Sequence, residues 1–182
     1  MGPNWALGAY FRTSAGSRPG MVDARLNDRS GASACSWSKK SNALKEALGR
    51  SRGGFTTKLH AVVDALGNPL NFILTQGQRA DIKEAENLIE PYDPEAVLGD
   101  KGYDSDTLLA YIRAKGAAPV IPSKKNRKVQ REIDKNLYKD RNKIERFFGR
   151  IKHYRRIATR YEKTARNYLA FVHLASIFTL LL

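Results

Sequence analysis

The sequence predicts a layered α/β domain, in which a β-hairpin is followed by alternating helices and strands that form a mixed sheet with helices against it. Two β-rich runs are separated by turn residues, and two further short apolar runs each follow a stretch of helical spacing. A hydrophobic content of 42% in 182 residues is enough for one core of ordinary size. We therefore expect one domain.

The elements follow from local patterns, taken in chain order. FTTKLHAVV and LNFILT are rich in β-branched and aromatic residues, and DALGNP between them has turn chemistry, which predicts a hairpin. Apolar residues at helical spacing and the stop at Gly116 predict two helices, each leading into a short buried strand. The predicted strands are 55–63, 70–75, 96–99 and 118–121, and the predicted helices are 80–89 and 105–115.

The two ends of the chain differ from this pattern. Residues 1–40 show neither helical nor strand periodicity and are rich in Gly, Ser, Ala and Arg, so we expect them to be poorly ordered and the domain to occupy 41–182. The apolar run 168–182 is too short to span a bilayer and is expected to be a core helix, with no membrane partner.

Charge indicates the class of partner. The chain carries 32 Lys and Arg residues against 18 Asp and Glu residues, a net charge of +14, and residues 123–166 hold 17 of the cations and only five of the acids. This excess favours a nucleic acid, with binding that weakens as salt rises. The lone Cys35 excludes an internal disulfide, zinc-ligand spacing is absent, and the start lacks signal-peptide character, so we expect a cytoplasmic, nucleoid-associated protein.

Two acidic residues stand where they could do chemistry. Asp100 follows a predicted buried strand, at the edge of an α/β sheet where ligands bind, although an Asp there can equally cap a turn. Glu145 lies among cations, and it could simply pair with Arg141 or Arg146 on a solvated helix face. Together, the two carboxylates could share divalent metal ions.

The spacing of the residues around Glu145 favours a common face. Tyr138, Arg141, Glu145 and Lys152 fall at offsets that keep side chains on one stripe of a single long helix. Ile144, Phe147, Phe148 and Ile151 form an adjoining apolar face. One flank of this helix could therefore pack on the sheet while the other presents Glu145.

These residues resemble a known family. DKGYDSD with Asp100, YKDRNKIERFFGRIK with Tyr138, Arg141, Glu145 and Lys152, and the segments RRIATRYEK and GRSRGGFTTKLHAVVDALGNP are similar to insertion-sequence transposases of the DDE type, above all insertion sequence family five. The resemblance covers residues 49–182. It implies an RNase H-like fold in which two Asp and one Glu bind two Mg²⁺ ions for DNA strand cleavage and strand transfer at insertion-sequence ends.

The resemblance also assigns roles to individual residues. Asp100 corresponds to the second acidic metal ligand and Glu145 to the third, while Tyr138, Arg141 and Lys152 are expected to contact double-stranded DNA near the cleaved end. Further phosphate contacts are expected from the exposed cations of the same segment. These are Lys124, Lys125, Arg127, Lys128, Arg155 and Arg156. A homo-oligomer assembled on terminal repeats and target DNA is the expected complex.

The first catalytic Asp of the family has no clear counterpart here. The family carries it on the first strand in a motif resembling DSTIVRAH, which is absent, and Asp23 is the only superficially similar candidate. Codons allowed for residues 25–39, read one nucleotide later, can spell DSTIVRAHPPAPGAK. We hypothesise that about the first 38 residues are out of frame, so that the first strand is missing or scrambled. Sequencing the gene tests this.

Three other functions remain open from the sequence. The chain could be a non-catalytic DNA-binding or regulatory remnant, an RNase H-like nuclease or resolvase, or a structural contact to RNA. It could also be the downstream half of a competent transposase made by frameshifting. Losing a bridging carboxylate weakens a metal site, so we expect little or no activity from this chain alone. A purely structural RNA contact would leave DKGYDSD without a purpose.

Overall fold

The computed structural model describes the backbone of residues 6–10, 23–25, 46–51 and 54–181, and the side chains of residues 46–49 and 56–181. Most of segment 1–40, including Cys35, and the predicted return to frame near Lys39 lie outside the described residues. Two strands do occur in that segment, β1 (Ala6–Tyr10) and β2 (Asp23–Arg25), where the sequence predicted no regular element. Such short strands have little periodicity of their own and depend on the strand with which they pair.

The predicted hairpin is confirmed. Strand β3 (Gly49–Ser51) precedes β4 (Gly54–Val63), and β5 (Pro69–Gln76) pairs with β4 across a tight turn. Asp64 closes this turn because its Oδ1 accepts hydrogen bonds from the backbone N–H groups of Leu66 and Asn68, both at 2.8 Å. Gly67 has a φ of 90°, a conformation that glycine adopts without steric cost.

The alternation of helices and strands is also confirmed, which places the chain in the mixed α/β class. Strands β6 (Ala96–Leu98) and β7 (Ala118–Val120) are short, and 3₁₀ turns at Asp81–Glu84 and Lys101–Tyr103 precede helices. The helices are α1 (Ala85–Ile89), α2 (Asp106–Ala114), α3 (Lys135–Lys139), α4 (Asn142–Ile151), α5 (Arg155–Ala158) and α6 (Ala165–Leu181).

The chain forms two compact units, and β4, β5 and α4 each contribute residues to both. Unit 1 contains Met1–Gly20, His60–Ile73 and Ala80–Phe147, and unit 2 contains Met21–Leu59, Leu74–Arg79 and Phe148–Leu182.

Unit 1 contains a mixed sheet with β1 at its centre. Strand β1 pairs antiparallel with β4 and parallel with β6, and β6 pairs parallel with β7. Helices α1 and α2 bury Leu88, Ile89 and Ile112 completely in a core shared with Val62 and Val97. Because β6 and β7 are parallel, the residues that follow them emerge at the same edge of the sheet.

Unit 2 is built on the first half of β4. Strands β2 and β3 both pair antiparallel with this part of β4. Helix α6 turns Tyr168, Val172 and Ala175 inward. The guanidinium of Arg160 is fully buried in this unit, which is rare for an arginine and requires hydrogen-bond partners.

Two helix expectations need correction. The long helix expected to carry Tyr138 and Lys152 is interrupted between α3 and α4, because Asp140 and Lys143 donate their backbone N–H groups three residues back, to Leu137 and Asp140, instead of four. Tyr138 therefore lies on α3, Glu145 on α4 and Lys152 just beyond α4.

The C-terminal helix is buried on one face only, not all round as a core helix would be. Leu174, Ile177, Phe178 and Leu181 are between 47% and 76% exposed. Within the described part of the chain, no helix combines the length and the apolar character needed to cross a membrane.

Candidate functional site

Asp100 lies two residues beyond β6, at the edge of the sheet in unit 1. Its carboxylate caps the 3₁₀ turn that follows, because Oδ1 accepts a hydrogen bond from the backbone N–H of Gly102 at 2.8 Å. The turn-capping role left open by the sequence is therefore present. It uses one carboxylate oxygen.

Gly102 permits this arrangement. A Cβ atom at position 102 would lie 2.8 Å from Asp100 Oδ1, closer than carbon and oxygen tolerate. A glycine in the DKGYDSD motif thus lets the backbone approach the carboxylate and fixes its orientation.

Glu145 lies on the first turn of α4, and Arg141 lies one helical turn before it. Arg141 Nη1 and Glu145 Oε1 are 2.9 Å apart, so the ion pair expected on a solvated helix face is also present. Both side chains are about three-quarters buried. The Arg141 guanidinium lies 5.4 Å from the centre of the Tyr138 ring, in cation–π geometry.

Tyr138 connects the two acids. Burial raises the pKa of its phenol, the nearby Arg141 charge lowers it, and the negative charges of Asp100 and Glu145 both raise it further. The carboxylate at the end of β6 and the carboxylate on α4 therefore act on the same hydroxyl. The Tyr138 phenol in unit 1 thus lies within electrostatic range of Asp100, Arg141 and Glu145.

The assignment of Asp23 as the first acid stays a prediction, because its side chain lies outside the described residues. The Asp23 backbone lies on β2 opposite Lys58 of β4 and belongs to unit 2, whereas Asp100 and Glu145 belong to unit 1. The central strand β1 has the sequence ALGAY and carries no acid. Among the described residues, no group of three or more His, Cys, Asp or Glu side chains could hold a metal ion. The two described carboxylates, Asp100 and Glu145, suit a Mg²⁺ ion that keeps several waters.

The predicted phosphate-binding cations differ in their surroundings. Lys124, Lys125, Lys128 and Arg155 are exposed. Arg127 instead pairs with two aspartates of unit 1, and Arg156 donates to Glu162 at 2.8 Å and lies 4.9 Å from the Phe171 ring centre. The guanidiniums of Arg127 and Arg156 therefore already have partners within the chain.

Sequence reasoning missed two residues with structural roles in these regions. Asp104 binds two arginines in unit 1, and Arg160 is fully buried in unit 2. The sequence signal for Asp104 was that it is a second Asp in the DKGYDSD motif, four residues after Asp100. No sequence signal separated Arg160 from its neighbours in RRIATRYEK.

Comparison with known proteins identifies the family. The family model described as Transposase DDE domain matches residues 22–180. The chain belongs to the DDE transposase family. A relative from Brucella ovis, named as a transposase for insertion sequence element IS6501, is 44% identical over 122 residues, which are 66% of this chain and 94% of the relative.

A second transposase relative is more distant. The Burkholderia cepacia protein, named as a transposase for insertion sequence element IS402, is 32% identical over 137 residues, covering 69% of this chain and 62% of that protein. No solved structure matches the chain. These matches confirm the resemblance to insertion-sequence DDE transposases that the motifs around Asp100 and Glu145 indicated.

Proposed function

We propose that this chain binds DNA at insertion-sequence ends and holds one divalent cation between Asp100 and Glu145, as part of the catalytic centre of a DDE transposase. The supporting observation is that both carboxylates raise the pKa of the Tyr138 phenol, which brings them within electrostatic reach of one position. Two acids on separate elements that both act on one phenol, beside a cation-rich segment, suit a phosphate-processing site.

The strand arrangement is compatible with the RNase H-like fold that the family implies. Strand β1 lies between β4 and β6, the central place that the family gives to its first strand. Asp100 then follows the parallel neighbour of the central strand. This supports the role of Asp100 as the second acid of the family set.

Mg²⁺ is the ion that we expect. It takes oxygen ligands and is commonly bound by one or two carboxylates with waters completing the shell. When bound, such an ion supplies an activated water and stabilises a leaving oxygen. The carboxylates of Asp100 and Glu145 would hold it.

Arg141 balances Glu145 before a cation binds. The two groups are 2.9 Å apart, and a divalent cation, which carries twice the charge of the guanidinium, would compete with it for the Glu145 carboxylate. The released guanidinium would remain beside the Tyr138 ring, where it could bind a DNA phosphate.

A second function is non-catalytic DNA binding. It is favoured by the ALGAY sequence of β1, which lacks an acid. On this proposal the chain binds DNA and a cation but does not cut. The cytoplasm, where the nucleoid lies, is the compartment that this function requires.

Cation binding tests the site directly. We would titrate Mn²⁺ into the full chain and measure free Mn²⁺ by electron paramagnetic resonance. Asp100→Asn and Glu145→Gln should each weaken binding by about 10- to 100-fold, whereas Glu86→Gln, the same charge change at an exposed position, should not. Unchanged Mn²⁺ affinity in Glu145→Gln would rule out the proposed site.

Nicking separates the two functions. A supercoiled plasmid with terminal repeats would be incubated with the chain and Mg²⁺, and DNA binding would be followed by fluorescence anisotropy. Nicking that Glu145→Gln abolishes supports the catalytic function. Binding without nicking supports the second, and nicking without strand joining would indicate a nuclease instead.

A further inference from the structure

The residues that follow β7 form a strongly basic loop at the same edge of the sheet as Asp100. This basic loop, residues 123–131 (SKKNRKVQR), holds five cations and no acid. Strands β6 and β7 are parallel, with Leu98 opposite Val120, so the basic loop and Asp100 leave the sheet in the same direction.

We infer that Asp104 is a positioning residue for DNA binding, which fixes the basic loop so that its exposed lysines meet DNA phosphates beside the Asp100 and Glu145 site. This inference rests on the proposed function, because it assumes that DNA is the partner. It assigns a role to the second half of the DKGYDSD motif, which the metal site does not use.

The side chain of Asp104 is fully buried and is surrounded by donors from the basic loop. Its Oδ2 accepts hydrogen bonds from the backbone N–H of Lys124 and from Arg127 Nε, both at 2.7 Å, and its Oδ1 accepts one from Arg131 Nη2. One buried carboxylate thus ties down both ends and the middle of the loop.

The same contacts determine the ionisation of Asp104. Burial raises the pKa of its carboxyl, but the hydrogen bonds from Lys124, Arg127 and Arg131 outweigh burial and lower the pKa to about 2. Asp104 therefore stays charged over the whole physiological range of pH, and the anchor is permanent.

Further hydrogen bonds close the loop on itself. Ser123 Oγ accepts a hydrogen bond from the backbone N–H of Arg131 at 2.9 Å, and Gln130 Nε2 donates to the carbonyl oxygens of Lys124 and Arg127 at 3.1 and 3.0 Å. The buried carboxylate of Asp104 connects this closed loop to the segment just before α2.

The anchor divides the five cations into two sets. Arg127 and Arg131 point at Asp104, and Arg127 also contacts the exposed Asp106 at 2.9 Å. Lys124, Lys125 and Lys128 are exposed. A loop fixed before binding loses less conformational entropy when its lysines contact phosphates, so anchoring increases DNA affinity without itself touching DNA.

The test uses a substitution for which electrostatics and loop positioning predict opposite changes in DNA affinity. Asp104→Asn removes a negative charge, so electrostatics alone predicts tighter DNA binding. If Asp104 positions the loop, the variant should instead bind a terminal-repeat duplex about ten-fold more weakly. The magnitude of the slope of log K against log salt concentration should also fall by about 1–2, which corresponds to the loss of about one to two phosphate contacts. Fluorescence anisotropy at several salt concentrations measures both quantities on the full chain.

A matched control and a second variant complete the design. Asp93→Asn removes the same charge at a fully exposed position away from the basic loop, so it reports the electrostatic effect alone and should bind DNA as tightly as the unmodified chain or slightly more tightly. Far-ultraviolet circular dichroism checks that Asp104→Asn is folded. If it is not, Gln130→Ala, an exposed change that removes two loop hydrogen bonds without touching the core, should weaken binding about two- to three-fold.

The outcomes separate this inference from the proposed function. A folded Asp104→Asn variant that binds as tightly as the unmodified chain, with the same salt slope, would overturn the role of Asp104 and leave the proposed function standing; so would an unaffected Gln130→Ala if Asp104→Asn does not fold. An unmodified chain that does not bind DNA at low salt would refute the proposed function, and the inference with it.

Discussion

Replacing the buried Arg160 with methionine should destabilise unit 2 without weakening the intrinsic affinity for DNA. Arg160 lies in the RRIATRYEK segment, whose cations suggest contact with phosphates, yet its side chain has no exposure to solvent. Its guanidinium also lies 5.3 Å from the ring centre of the buried Tyr168. Burial lowers the pKa of the guanidinium, a sign of the cost of keeping it there.

The size of the effect follows from the hydrogen bonds that would be lost. The guanidinium donates to the carbonyl oxygens of Glu46, Glu162 and Lys163 at 2.9, 3.0 and 3.2 Å, and to Thr57 Oγ1 at 2.6 Å. Methionine fills similar space but donates nothing. Each buried acceptor left without a donor costs about 1–3 kcal/mol, partly offset because no charge is buried any longer.

We therefore expect Arg160→Met to lower the free energy of unfolding by about 3 kcal/mol. For a chain of this length that corresponds to a fall in Tm of about 6–12 °C. Urea denaturation followed by circular dichroism measures the change, and the midpoint should fall without a change in slope.

Arg155→Met is the matched control, because it removes the same charge from an exposed position on α5. It should change stability by less than about 0.5 kcal/mol but should weaken DNA binding, whereas Arg160→Met, measured where it is folded, should bind normally. A loss of less than about 1 kcal/mol in Arg160→Met would refute the view that these hydrogen bonds hold unit 2 together.

Three further predictions concern unit 1. Folding lowers the pKa of the Asp104 carboxyl from 3.8 to about 2, so its contribution to stability is complete above about pH 4 and is lost as the pH falls toward 2. In a plot of the free energy of unfolding against pH, Asp104→Asn should therefore lose less stability between pH 4 and pH 2 than the unmodified chain does. Gly102→Ala should displace the Asp100 carboxylate and weaken Mn²⁺ binding at least several-fold, with stability nearly unchanged as a check that the fold is intact. Changing the three exposed lysines of the basic loop to glutamine should lower the salt slope of DNA binding by about 2–3, and an unchanged slope would place the phosphates elsewhere. These are Lys124, Lys125 and Lys128.

Local patterns predicted the parts of the fold that depend on neighbours in the sequence. The hairpin turn closed by Asp64, the end of α2 before Gly116 and the buried strand before Asp100 all follow from periodicity and turn chemistry. The break between α3 and α4 was not predictable, because no Pro or Gly marks residues 140–141 and the shift to three-residue hydrogen bonds is a small local difference.

Long-range pairing explains what the sequence could not reveal about the site. Asp104 meets Arg127 and Arg131 from 23 and 27 residues away, and Arg160 binds Glu46 from 114 residues away. Charged residues are usually exposed, so the sequence alone favoured treating Arg127 as a phosphate contact. By contrast, the sequence could single out Asp100 and Glu145 as candidates because strand ends and helix faces are local features.

The outward face of α6 has a practical consequence for handling the protein. Leu174, Ile177, Phe178 and Leu181 recur every three or four residues and form a water-exposed aliphatic and aromatic row. Mutual repulsion from a net charge of +14 keeps separate molecules apart at low ionic strength. High salt is used to remove DNA from such a protein during purification, and it screens that repulsion. It should therefore cause the molecules to associate, which would appear as a rise in light scattering. Ile177→Lys, which interrupts the exposed row, should suppress this rise.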